Sequence, residues 1–171
     1  MNNKYEVKRT QTLVLIGIVT ALITGLTLFT RFPIAYGYLN LGDVGVMLGA
    51  LLLPMRGAIF AASVGSALAD ILGGYPQYAI FTIFIKASEV LVIIMLKRYL
   101  THKRRYIAFF AAGLTMVVLY AGLDALLLED ANIFWVSAVG NLPQGLISAL
   151  IVSLFYPKFK ELVDRLRSLD S

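Results

Sequence analysis

The sequence predicts an all-α, polytopic membrane protein, a bundle of six helices with both termini in the cytoplasm. Three observations carry that prediction. Of the 171 residues, 59% are hydrophobic and 15% are charged, where a soluble domain averages about 45–50% and about 25%. Mean hydropathy is +0.81, and so short a chain cannot hide the excess in a larger core, which makes lipid the solvent. Finally, thirteen of the fifteen Lys and Arg residues fall in four places. These are Lys4, Lys8 and Arg9; Arg56; Lys97, Arg98, Lys103, Arg104 and Arg105; and Lys158, Lys160, Arg165 and Arg167. They sit at alternate ends of the hydrophobic runs, the pattern of cytoplasmic loops.

We read residues 1–171 as one membrane domain with helices at about 11–30, 43–53, 58–72, 77–98, 106–128 and 133–156. Helix 1 holds an apolar run, Leu13 to Phe29. The run is longer than a signal-peptide core and lacks a convincing small-x-small cleavage site. Gly17, Ala21 and Gly25 recur every four residues and form a small-residue ridge along which another helix can approach closely. That helix belongs either to this bundle or to a separate membrane subunit. The stretch after it, RFPIAYGYLNLG, is too polar and too broken by Gly and Pro to span, and reads as an extracellular loop. Tyr36 and Tyr38 there suit interface anchors as well as a site. Asn40 and Asp43 are stronger site candidates, although Asp43 also suits an N-terminal cap.

Helix 2 is too short to cross a bilayer. Pro54 to Gly57 forms a tight cytoplasmic turn, and helix 3 is rich in small residues, with Ser63, Ser66 and Asp70 on one face. Short helices with Gly-rich joins are a means of exposing polar backbone to a binding site. Gly73-Gly74-Tyr75-Pro76 then opens helix 4, the most informative stretch. At about 100° per residue, Tyr78, Thr82, Lys86 and Glu89 fall within about 80° of one face. A central charge facing lipid costs at least about 2.5 kcal/mol, so this face must line a protein cavity. Helix 5 carries Tyr120 and Asp124 one turn apart near its outer end. Glu129 and Asp130 form an acidic outer loop. On helix 6, Ser137, Asn141, Gln144 and Ser148 lie within about 60° of one face. Pro143 interrupts helix 6 locally and Pro157 ends it, leaving a short amphipathic tail.

Several function classes are disfavoured. There is no cysteine, and His102 is the only histidine, which removes disulfides, thiolate sites and multi-histidine metal sites. No phosphate-binding loop, HExxH or GxSxG motif is present. We therefore expect no catalytic residues, no metal and no cofactor. The positive charge follows the membrane ends rather than one face, which argues against nucleic acid.

The remaining polar groups suit a small polar aromatic ligand. Asn40, Asp43, Tyr75, Tyr78, Lys86, Glu89, Tyr120, Asn141 and Gln144 are the candidate binding residues. Tyrosines and Trp135 could stack on a ring, Asn and Gln could read its edges, and Lys86 could meet a hydroxyl or an acidic oxygen. Lys86 and Glu89, three residues apart, could also form a structural ion pair or a proton relay.

The segments NLGDVGVMLGALLLPMRGA (Asn40–Ala58) and GSALADILGGYPQYAIFTIFIKASE (Gly65–Glu89), together with N-x-x-Q in helix 6, resemble the substrate-binding S component of energy-coupling-factor (ECF) vitamin transporters. More narrowly they resemble its riboflavin-transporter-like group, whose members are associated with hydroxymethylpyrimidine or pyridoxine rather than only riboflavin. The resemblance covers most of the chain. It implies a subunit that binds a vitamin from outside and docks on a transmembrane T component carrying two ATP-binding subunits. It further implies that the subunit topples in the bilayer to release the vitamin inside, and it places the docking ridge on Gly17, Ala21 and Gly25. The competing expectation is a self-contained, proton-coupled secondary transporter; a membrane enzyme ranks third.

Overall fold

The computed structural model describes residues 2–34, 38–101 and 104–169. The elements run α1 (Asn2–Phe29), β1 (Phe32–Pro33), β2 (Tyr38–Leu39), α2 (Gly42–Leu52), α3 (Met55–Leu72), α4 (Pro76–Tyr99), α5 (Tyr106–Leu127) and α6 (Ile133–Leu169). Five helices contain stretches long and apolar enough to cross a membrane, while α2 is a shorter apolar helix. At 11 residues it extends only about 16 Å. The two strands form a small antiparallel hairpin, pairing Phe32 with Leu39 and Pro33 with Tyr38.

Three boundaries differ from the sequence reading. The helix α1 begins at Asn2 rather than about Gln11, because residues 2–10 contain neither Gly nor Pro to stop it. Only Leu53 and Pro54 separate α2 from α3. Pro54 occupies the N-cap of α3, and Met55–Gly57 are already helical, since Pro suits a helix start. The helix α6 runs through both Pro143 and Pro157. A proline removes one intrahelical hydrogen bond, and the Lys, Glu, Leu and Arg that follow Pro157 are good helix formers.

Apolar and polar side chains separate along the bundle axis. One half is a packed core: Val19 and Ile23 of α1, Val46, Met47 and Ala50 of α2, Ala58, Ala61 and Ala62 of α3, Val90 and Ile93 of α4, Phe109 and Ala112 of α5, Ala149 and Val152 of α6. Lys97 closes this end by donating to the Ala50 carbonyl at the α2 C-terminus, 3.1 Å. Arg105 donates to the Tyr156 hydroxyl at 2.7 Å. The other half carries nearly all the buried polar groups. Around the outside, Ile18, Phe60, Phe84, Met95, Leu150 and Leu154 are exposed. So continuous an apolar surface belongs in lipid, not water.

Two close approaches fix the helices that carry the polar half. At the α5–α6 crossing, Gly113 and Gly145 face each other. A Cβ on Gly113 would lie 2.6 Å from the Gly145 carbonyl oxygen, and one on Gly145 would lie 2.8 Å from the Gly113 oxygen. At the α1–α3 crossing, a Cβ on Gly65 would lie 2.8 Å from the Thr20 oxygen. There the Thr24 hydroxyl donates to the Gly65 carbonyl at 2.9 Å. The face of α1 used inside the bundle therefore contains Val19, Ile23 and Thr27. The Gly17–Ala21–Gly25 ridge is not that face: Gly17 and Ala21 are exposed, and a Cβ on Gly17 would meet nothing within 4 Å. Internal packing, one of the two expectations for the ridge, is thereby overturned.

Candidate functional site

Among the described residues the polar half holds a cavity of about 500 Å³, open mouth included, reached by every helix but α2 and lined also by Tyr38 of β2 and by Asn40. Its walls are Thr27 (α1), Ser66 and Asp70 (α3), Tyr78, Thr82 and Lys86 (α4), Tyr120 and Asp124 (α5), and Asn141 and Gln144 (α6). Every lining side chain bears a polar group. In an apolar bundle such groups need partners, and most of them find one in three networks.

The first runs from the loop to the centre of α4. Asn40, just before α2 begins, accepts the Gly42 N–H on its Oδ1 at 2.7 Å. The Asn40 backbone N–H and Nδ2 both donate to Gln144 Oε1, at 2.8 and 3.2 Å. Gln144 Nε2 donates to Asp43 Oδ2 at 2.7 Å. Asp43 Oδ1 accepts from Lys86 Nζ, and Lys86 also donates to Glu89 Oε1 at 2.6 Å. Asp43 and Glu89 are fully buried, so one ammonium serves two carboxylates. Asp43 is not the α2 cap expected as an alternative: Leu41 holds that position and offers no side-chain bond.

The second network centres on Asp124. Tyr78 donates its hydroxyl to Asp124 Oδ1 at 2.7 Å, and Ser137 donates to Oδ2 at 2.5 Å. Asn141 Nδ2 completes it, donating to the Ser137 carbonyl at 3.0 Å and to its hydroxyl at 3.1 Å. Beside it, Thr82 and Tyr120 share a hydrogen bond of 2.9 Å, and Lys86 Nζ stands 5.4 Å from the Tyr120 ring centre.

The third network closes the mouth. Tyr38 donates to Asp70 Oδ1 at 2.6 Å and packs on Tyr75, ring centres 4.9 Å apart. Tyr75 in turn lies 6.3 Å from the Tyr78 ring. Arg31 donates to the Gly73 carbonyl at 2.6 Å, compensating the negative end of α3, and its guanidinium carbon sits 5.4 Å from the Tyr38 ring centre. Burial above all, and then the Asp70 charge, push the Tyr38 phenol well above the ordinary tyrosine range. Tyr38 is therefore a donor at neutral pH.

A family model described as "ECF-type riboflavin transporter, S component" matches residues 7–161. The chain belongs to this family. The family is described as a transporter subunit, and five helices long and apolar enough to cross a membrane make this member a multi-pass membrane protein. A solved structure described as "Structure and mechanism of the S component of a bacterial ECF transporter" superposes with a TM-score of 0.75. That match covers 91% of this chain and 98% of the other at 20% identity, which shows a shared fold. An "Uncharacterized protein in gap 3'region" from Pyrococcus woesei is 47% identical over 74 residues. Those residues are 42% of this chain and 49% of the relative, so the match spans about half the relative's length.

Within this S component, Asn40, Tyr78, Lys86, Tyr120, Asn141 and Gln144 all line the cavity. Asp43 and Glu89 lie behind Lys86 rather than on the wall, and Tyr75 braces Tyr38 at the mouth. Trp135 does not stack in the site. It is 70% exposed on the outer surface, beside Phe134 at 5.3 Å between ring centres. Tyr36 lies outside the described residues. Sequence reasoning did not rank Thr27, Tyr38, Ser66, Asp70, Thr82 and Asp124 as binding residues. Periodicity had put Asp70 on one face with Ser66, and Thr82 on one face with Lys86, which was the available signal.

Proposed function

We propose that this S component binds a small heteroaromatic vitamin or precursor, hydroxymethylpyrimidine or pyridoxine, for an ATP-driven importer, with riboflavin ranking below them. The observation that carries this reading is the lining of the cavity, in which every side chain bears a polar group and Tyr38, Tyr78 and Tyr120 also offer ring faces. A small ring bearing hydroxymethyl and amino or hydroxyl groups matches such a wall. The family's name points to riboflavin, whose three-ring system is a larger guest than either small heteroaromatic.

The basic clusters support an outward-facing cavity. Lys97, Arg98, Arg104, Arg105, Lys158 and Lys160 flank the packed half, opposite the cavity, and basic residues favour the cytoplasm. That orientation puts both termini inside. The exposed ridge of Gly17 and Ala21, with Gly25, supports docking of α1 on a transmembrane T component with two ATP-binding subunits.

Calorimetric titration of the detergent-purified chain tests the ligand. We expect tight binding of hydroxymethylpyrimidine or pyridoxine, weakened by Asn141→Ala. Tighter binding of riboflavin than of either overturns the small-ligand reading. Uptake by vesicles holding this chain alone, driven by a proton gradient, overturns the ATP-driven one.

A further inference from the structure

Three buried side-chain oxygens of residues that line the cavity have no hydrogen bond: Thr27 Oγ1, Ser66 Oγ and Asp70 Oδ2. Their residues are 4%, 3% and 6% exposed, and all three line the cavity from adjoining helices, α1 and α3. Leaving a buried acceptor unpaired is costly, most of all a carboxylate oxygen. The other carboxylate on the wall is saturated, since Asp124 receives both Tyr78 and Ser137. The nearby cations are committed too: Arg31 to Gly73 and Leu28, Lys86 to Asp43 and Glu89. The Thr82 hydroxyl lies beside Asp70 as well and shares a hydrogen bond with Tyr120.

We propose that Asp70 Oδ2, with Ser66 one turn before it on α3, is the specificity-determining acceptor of the pocket, reading an N–H or O–H donor on the ligand. This deepens the proposed function and rests on it. The complementary group is Lys86. An ammonium has three donors, and two are taken by carboxylates, which leaves one for a ligand acceptor. The ligand is thus a ring with a donor on its α3 side and an acceptor on its α4 side. It is also uncharged or cationic. Among the described buried residues, four carboxyl groups (Asp43, Asp70, Glu89 and Asp124) face a single ammonium, Lys86. A phosphate monoester, carrying about −1.5 to −2 charges at neutral pH, meets a repulsive field there.

The test titrates the wild type and Asp70→Asn with hydroxymethylpyrimidine, pyridoxine and riboflavin, each beside its own phosphate ester. Asn keeps the Oδ1 that accepts from Tyr38 and replaces only Oδ2. We expect the tightest-binding probe to lose about tenfold to a hundredfold in affinity with Asp70→Asn, and its phosphate ester to bind the wild type at least about tenfold more weakly. Unchanged affinity in Asp70→Asn, or an ester that binds as well as its parent, overturns the assignment and leaves the transport reading standing. Binding of none of the three probes by the wild type overturns both. If Asp70→Asn does not fold, Ser66→Ala replaces it. The Ser66 hydroxyl holds no bond within the fold, so its loss should cost about twofold to tenfold in ligand affinity alone. Equal affinity in that variant overturns the assignment.

Discussion

Tyr38 and Asp70 are joined by a 2.6 Å hydrogen bond that ties β2 to the outer end of α3 across the cavity mouth. The bond has a neutral donor and a carboxylate acceptor, a strong class. Beside it, Arg31 donates to the Gly73 carbonyl just past the end of α3.

Tyr38→Phe removes this link and keeps the ring that packs on Tyr75. We expect a loss of about 1.5–3 kcal/mol in ligand binding, seen mainly as faster dissociation in stopped-flow measurements. Because the folded-state pKa of Tyr38 is raised, the bond's contribution to stability is fully present below the unfolded value of about 10 and is lost only as pH climbs through the higher folded one. The difference in thermal stability between wild type and Tyr38→Phe should therefore be constant from about pH 7 to about pH 9.

Lys86→Met should act on stability before it acts on binding. It strands two buried carboxylates, Asp43 and Glu89, and breaking such a pair from one side costs about 3–5 kcal/mol. Adding Asp43→Asn and Glu89→Gln to Lys86→Met should restore most of the lost thermal stability in detergent. No restoration would show that Lys86 acts through something other than this ion cluster.

Ala21→Phe should leave folding and ligand affinity close to wild type, because Ala21 is exposed and its ridge makes no internal contact at Gly17. The same change should abolish co-purification with the T component and the ATP-binding subunits. Lost ligand binding with normal assembly would reverse the role given to the ridge.

Gly145→Val should destabilise the bundle at the α5–α6 crossing. Its Cβ would already lie 2.8 Å from the Gly113 backbone oxygen, and backbone cannot yield as a side chain can. Overpacking of this kind costs about 1–3 kcal/mol. Asp124 and Asn141 ride on these two helices, so affinity should fall together with melting temperature.

The six helices and the brevity of α2 were legible because apolar run length and basic ends are composition-level signals. The α4 and α6 stripes were legible because a polar face on an apolar helix has no place in lipid. The pairing of these stripes was not. Lys86 and Glu89 are three residues apart and could be matched by eye, but Asp43, their third partner, is 43 residues from Lys86. Thr27 and Ser66 look like the small packing residues around them, and only the fold shows that they line the cavity. Trp135 misled because residue type suggested stacking, while its position on α6 points it outward. Helix ends were misjudged where proline was read as a stop, at Pro157.

The separation of the bundle into a polar half and a packed half also bears on permeability. Beyond Lys86 and Glu89 the bundle is packed with Val46, Met47, Val90 and Ile93, each fully buried. Close-packed aliphatic side chains leave no chain of water along which protons or ions could leak. A membrane crowded with idle copies of this subunit would hold its electrochemical gradient, and the substrate cannot leave through the bottom of the bundle that captured it.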